Sequence, residues 1–281
     1  MNKPTDFIQQ TLREIANSLS PVKNVIIVLS GKGGVGKSFV SAALATTLWL
    51  SGRRVALLDA DFHGPSIPWI LGVENGRILA DENSRLVPFE ARDGLAVLSP
   101  ELMLDERENP IIWRGPMKAR AILELLSKTR WGERDYMVVD LPPGTGDEPL
   151  TIAQYLARVK SSGALLVLTP SSMVRHIVVK AKRFCEHLNI PLLGGVMNMA
   201  YFRCPNCGKV IRIFGEEQAT ELEILAEIPL DPELSRAIDS SKLIDYLESE
   251  NEVSQIFKKL AQYIEKKMGA ESGATEGEDK S

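Results

Sequence analysis

The sequence predicts an α/β fold, a doubly wound and mostly parallel sheet flanked by helices. Three observations carry this. Short apolar runs alternate with stretches of helical periodicity. Several runs are unbroken, as in "VIIVLS", "MVVD" and "ALLVLTP", which suits strands buried on both faces of a parallel sheet. The strand–helix alternation continues through most of the 281 residues, which argues for one layered domain rather than separate units.

Taken in order, the first twenty residues, 1–20, read as a polar helical extension outside the sheet. They lack the apolar core of a secretory signal. Strands are expected at 24–29, 54–58, 95–98, 136–139, 164–168, 192–196 and 224–228, and helices at 37–50, 117–128, 174–187, 232–238 and 252–267. The sheet domain is therefore placed at 21–268, and the tail 269–281, "GAESGATEGEDKS", is expected to be disordered because it offers nothing larger than alanine to bury. Net charge is −4, so no basic excess points to nucleic acid. Three cysteines make no disulfide framework, and no apolar run reaches membrane-spanning length, which leads to a cytoplasmic expectation without a membrane partner.

"VIIVLSGKGGVGKSFV" follows the first strand and opens a helix. Two glycine patterns overlap there. One is the dinucleotide spacing of Gly31, Gly33 and Gly36, with Asp59 near the ribose position. The other is the P-loop, Gly31-x4-Gly36-Lys37-Ser38. Lys37 and Ser38 decide for the P-loop, because a triphosphate needs a cation at its β and γ phosphates and a hydroxyl on Mg²⁺. Gly31, Lys32, Gly33, Gly34, Val35 and Gly36 supply the backbone amides that face the phosphates. Carboxylates should stand at neighbouring strand ends. "RRVALLDADFHGPS" provides Asp59 and Asp61, and "DYMVVDLPPGTGDE" provides Asp140. Asp140 is the natural Mg²⁺ partner with Ser38, Asp59 stands beside it, and Asp61 is the candidate to orient attacking water. Taken singly, each aspartate could be an ordinary turn residue.

"MNMAYFRCPNCGKVIRIFG" holds Cys204 and Cys207 in an irregular stretch, placed at about 199–215, with a strand-like "KVIRIFG" after it. The spacing is one limb of a metal knuckle, and a closed thiolate site usually takes four ligands. Two chains about a two-fold axis would supply them. From the motif alone, structural zinc and an iron–sulfur centre both remain open. Cys185 lies in a helical pattern and reads as a small buried side chain. His187, two residues on, points to another helix face. His63 carries no assigned chemistry. Trp113 and Arg114 read equally well as partner surface or as a loop packed on the core.

Lys32 is the residue an ordinary P-loop does not specify. "GKGGVGKS" resembles the deviant Walker A motif of the SIMIBI-class ATPases, which include the MinD/ParA, ArsA and nitrogenase iron protein families. That resemblance implies that Lys32 reaches the nucleotide of a partner subunit. "DADFHGPSIPWILG", "WRGPM", "DLPPGTGDEPLT", "MNMAYFRCPNCG" and "IPLDPEL" occur in the order of the Mrp/ApbC family of iron–sulfur carrier ATPases, over about residues 20–245. These 281 residues contain no N-terminal four-cysteine motif, and the extra N-terminal domain that many bacterial members of that family carry is not expected here. The resemblance implies an ATP-hydrolysing homodimer with a [4Fe–4S] cluster bridged by Cys204 and Cys207 of both subunits, taken from donors and passed to recipient apo-proteins. It also implies that Asn198 and the "IPLDPEL" segment lie near the adenine; Asp231 in that segment reads equally as a helix start. Two rivals stand beside it. One is a MinD/ParA-like switch whose C-terminal stripe, Val253, Ile256, Phe257, Leu260 and Ile264, meets a membrane rather than the sheet. The other is an ATPase scaffold with structural zinc.

Overall fold

The computed structural model describes residues 4–62, 64–103, 115–171, 173–215 and 221–275. Its elements run α1 (Pro4–Ser18), β1 (Val22–Ser30), α2 (Lys37–Leu50), β2 (Val55–Asp59), α3 (Ile67–Leu71), β3 (Leu79–Ala80) and β4 (Leu86–Val87). There follow β5 (Phe89–Arg92), β6 (Leu95–Leu98), a 3-10 turn at Pro100–Met103, α4 (Gly115–Lys128), β7 (Arg134–Asp140), α5 (Asp147–Val159), β8 (Ser162–Leu168) and α6 (Val174–Leu188). The chain continues with β9 (Leu192–Met197), β10 (Phe202–Arg203), β11 (Val210–Ile211), β12 (Ile224–Glu227), α7 (Pro232–Asp239), α8 (Leu243–Glu248) and α9 (Glu252–Thr275).

The main sheet has the order β12-β9-β8-β1-β7-β2-β6-β5. Every neighbouring pair is parallel except β5 with β6 at one edge. β1 lies inside the sheet between β7 and β8, so its C-terminal end opens where chain crossovers leave in both directions. Side chains alternate across the strand: Ile26 and Val28 enter one core, and Val25, Ile27 and Leu29 enter the other. The first core is covered by α2, α3, α7, α8 and α9, and the second by α1, α4, α5 and α6. This is why the strands read as unbroken apolar runs.

The seven expected strands are all present in the main sheet, within two residues at their ends. α1 lies outside the sheet and is docked there by Ile15, which is fully buried in the second core. α9 buries Val253, Phe257, Leu260, Ile264 and Met268 in the first core, with Ile256 half-buried against it. Its apolar stripe is core and is not presented to a membrane. Among the described residues no helix is long and apolar enough to cross one. α9 runs to Thr275, past residue 269 where the tail is expected to begin. A docked helix is already nucleated, and each further residue then costs little when alanine and glutamate follow.

Candidate functional site

The loop after β1 is shaped by glycine. Gly34 and Gly36 adopt φ of +76° and +82°, and a Cβ on Gly36 would fall 2.2 Å from Asn198 Nδ2. Gly36 is also the N-cap of α2 and makes no side-chain cap, so the first N–H groups of the helix are left to an outside acceptor. Gly31 to Gly34, Lys32 included, are exposed, while Val35 is buried and anchors the loop. Asn198 directly follows β9, is 4% exposed, and donates from Nδ2 to the Val35 carbonyl at 2.9 Å. It therefore braces the loop directly.

Lys37 and Asp140 meet behind the loop. Lys37 is 6% exposed and Asp140 is fully buried, with Nζ 2.7 Å from Oδ1. The contact is close but lacks hydrogen-bond alignment, and Nζ has no hydrogen-bond acceptor among the described residues. A buried ammonium with its donors unmet is in the right place for phosphate oxygens. Ser38 Oγ donates to Asp140 Oδ2 at 2.6 Å and Ser41 Oγ donates to Oδ1 at 2.7 Å. Ser41 was not among the expected residues. Its signal was its position one turn after Ser38, on the same helix face.

Asp59 is the Cα partner of Asp140 across β2 and β7, so two buried carboxylates stand at adjacent strand ends. Burial pushes the Asp59 acid up to about 8, and the charge of Asp140 adds to the rise. Ser99 Oγ donates to its Oδ2 at 3.1 Å and the Asp61 amide to its Oδ1 at 3.2 Å. Ser99, at the end of β6, was also missed by sequence reading. The arrangement fits Mg²⁺ held by Ser38 and the phosphates with Asp140 behind the serine. Among the described residues no group of three or more carboxylates, cysteines or histidines forms a closed metal cage, and Mg²⁺ beside phosphates does not need one. Asp61 is half-buried and its backbone is tied to Asp59.

The cysteine pair is held in a separate ribbon. β10 and β11 pair antiparallel, Phe202 with Ile211 and Arg203 with Val210. Between them the Cys204 amide donates to the Lys209 carbonyl at 3.0 Å, and the Gly208 amide donates to the Cys204 carbonyl at 2.8 Å. Gly208 turns the chain at φ +70°. Cys207 is exposed and Cys204 half-buried, both as free thiols. The backbone N–H of Cys207, followed by that of Asn206 and the Cys207 side chain, holds the Cys204 thiol below its usual range. Cys185 is the opposite case. It is buried in the second core, and burial with the nearby charge of Glu186 pushes its thiol up to about 12, so it is inert. His187 is exposed on α6, and His63, Trp113 and Arg114 lie outside the described residues.

The parallel sheet, the glycine loop at its central strand and the buried lysine–aspartate pair define a P-loop NTPase. Residues 21–265 match the family model described as ParA, NUBPL iron-transfer P-loop NTPase, and the chain belongs to that family. The chain is 43% identical over 257 residues to the iron–sulfur cluster carrier protein of Aquifex aeolicus, covering 88% of this chain and 70% of the relative. It is 43% identical over 268 residues to that of Methanocaldococcus jannaschii, covering 93% and 91%. A cytosolic iron–sulfur cluster assembly factor of Drosophila pseudoobscura is 41% identical over 254 residues, covering 88% and 98%. Among solved structures, a nucleotide-binding protein from Archaeoglobus fulgidus in complex with ADP superposes with a TM-score of 0.75 at 38% identity, covering 88% and 96%. MinD of Pyrococcus horikoshii, with a TM-score of 0.62 at 21% identity and coverage of 89% and 98%, shares the fold.

Proposed function

We propose that this chain is an ATP-hydrolysing homodimer that carries a [4Fe–4S] cluster between two subunits and delivers it to recipient apo-proteins. The observation that carries the reading is the half site: two accessible free thiols on a stiff turn, with no further ligand gathered around them among the described residues. A second copy supplies the other pair, and the cluster so held lies at the surface where a recipient's thiols can reach it. The half site's flank suits a protein partner, since Val210, Ile211, Ile213 and Phe214 are all exposed beside it. The relatives' names and the ADP-bound neighbour support both halves of the reading, cluster and nucleotide.

In this reading ATP is the substrate. Lys37 turns its unmet donors to the β and γ phosphates, and the amides of Gly31 to Gly36 cradle them. Mg²⁺, when bound, neutralises charge developing on those phosphates. Ser38 would be its side-chain ligand, with Asp140 holding the serine and Asp59 standing beside it. Asp61 orients water, Asn198 bounds the adenine side, and Lys32 extends from the exposed part of the loop to the partner's nucleotide.

The test is anaerobic reconstitution with iron and sulfide, beside ATP hydrolysis. About four iron and four sulfide per dimer are expected, lost in Cys204→Ala/Cys207→Ala, with hydrolysis lost in Lys37→Ala. Tight zinc, or metal independent of the two cysteines, would overturn the carrier reading and leave a scaffold ATPase.

A further inference from the structure

Residues 198–203 join the P-loop brace to the cysteine turn, and both ends of this segment are tied to the nucleotide-bearing part of the fold. At the inner end Asn198 holds Val35. Met199 follows with φ +56°, a left-handed conformation unusual for a side chain with a Cβ. The Ala200 amide then donates to the Ile228 carbonyl at 2.9 Å, and the Leu230 amide to the Tyr201 carbonyl at 2.6 Å. At the outer end Arg203, the residue before Cys204, forks onto Glu252. Its Nη2 donates to Oε1 at 2.7 Å and its Nε to Oε2 at 3.0 Å, while Nη1 reaches the Gly208 carbonyl at 3.3 Å. Tyr201 Oη donates to the same carboxylate at 2.9 Å. Glu252 is the first residue of α9. Five residues further along the helix, Phe257 meets Phe39 edge to face, with ring centroids 5.7 Å apart. Phe39 stands in the first turn of α2, beside Lys37 and Ser38.

The cysteine turn is thus bound at one end to the P-loop and at the other to the helix that packs on the P-loop's own helix. A bidentate arginine–carboxylate fork transmits orientation better than a single contact, because both planes must move together. We propose that Arg203 and Glu252 are positioning residues that couple the cysteine turn to the P-loop helix, so that nucleotide occupancy changes the accessibility of Cys204 and Cys207. The inference rests on the P-loop binding nucleotide as described above, and it does not depend on the metal.

The test needs no iron. The rate at which a maleimide modifies the two accessible thiols is measured with and without saturating Mg-ADP, and Mg-ADP binding is measured separately by calorimetry. Cys185 is buried and does not contribute. In wild type the rate should change by about fivefold or more, the lower end of ordinary coupling between sites. Arg203→Met and the isosteric Glu252→Gln should bind Mg-ADP as wild type does, yet react at one rate in either condition. The exchanged pair Arg203→Glu/Glu252→Arg should recover part of the response, which a general loosening of the ribbon would not produce. A wild type that binds Mg-ADP without change in thiol rate would overturn the coupling alone, as would Glu252→Gln with the full response. A wild type that binds no nucleotide would bring down the nucleotide reading and this coupling together.

Discussion

Replacing Lys37 by alanine leaves Asp140 buried without its counter-charge and held by Ser38 and Ser41 alone. Breaking a buried pair costs about 3–5 kcal/mol, so Lys37→Ala should unfold at clearly lower urea, and adding Asp140→Asn should recover part of the loss. Equal midpoints for wild type and Lys37→Ala would show that the pair does not hold this corner. Ser41→Ala removes one hydrogen bond to a charged group, worth about 1.5–3 kcal/mol. It should raise the Mg²⁺ concentration needed for half-maximal ATP hydrolysis, because Asp140 then turns more freely away from Ser38. Asp59 sets a pH dependence. Its acid stands at about 8 in the fold against 3.8 for the ordinary group. Between those values the folded state keeps a proton that the unfolded chain has released. The contribution of Asp59 to the stability of the nucleotide-free protein should therefore be fullest below about pH 4, fall as pH rises, and level off above about 8. Thermal melts across this range should show the fall in wild type and a flatter profile in Asp59→Asn. At this scale the motif residues were legible, because Lys37, Ser38 and Asp140 follow from the chemistry a phosphate needs. Ser99 and Glu252 were not, since their partners lie 40 and 49 positions away in the chain.

At the scale of elements, α9 was placed correctly by its 3.6-residue stripe, and the sheet decided which partner the stripe meets. Phe257 fills the space between α9 and Phe39. Phe257→Ala should cost about 3–5 kcal/mol, seen as a lower melting temperature. The strands were legible because burial on both faces forces unbroken apolar runs. Three helices were not: α3, of only five residues, α5 and α8. α5 begins at Asp147 inside what reads as a glycine-rich nucleotide loop, and Pro149 suggests a break. In the first turn a proline loses no helical hydrogen bond, so the helix forms and buries Ile152, Ala153 and Leu156. α8, six residues long, is too short to show a period. The edge strand β5, "FEAR", carries charges because half its surroundings are solvent, which hides it from any search for apolar runs.

For the molecule as a whole, nucleotide and fold should be linked. At about one hundred times its dissociation constant, Mg-ADP should stabilise the protein by about 2.7 kcal/mol. A scanning melt should show this in wild type and lose it in Lys37→Ala. The absence of a shift in wild type would count against the loop as a nucleotide site, however well its geometry fits. In the proposed reading the half site makes the related statement about assembly: a cluster that needs four thiolates and finds two on this turn would tie cargo to dimer.

The sequence by itself determined the class of fold, the phosphate-binding loop and the cysteine pair. Each depends on local spacing: strand-length apolar runs, glycines before Lys37 and Ser38, and Cys204 and Cys207 within one turn. Only the tertiary structure decided what those parts touch. It brought Asp59 beside Asp140, turned the C-terminal stripe onto the sheet, and joined Arg203 to Glu252. These contacts link residues far apart in the chain, where periodicity carries no signal, and they form because closing the layered core brings the strand ends and helix starts together.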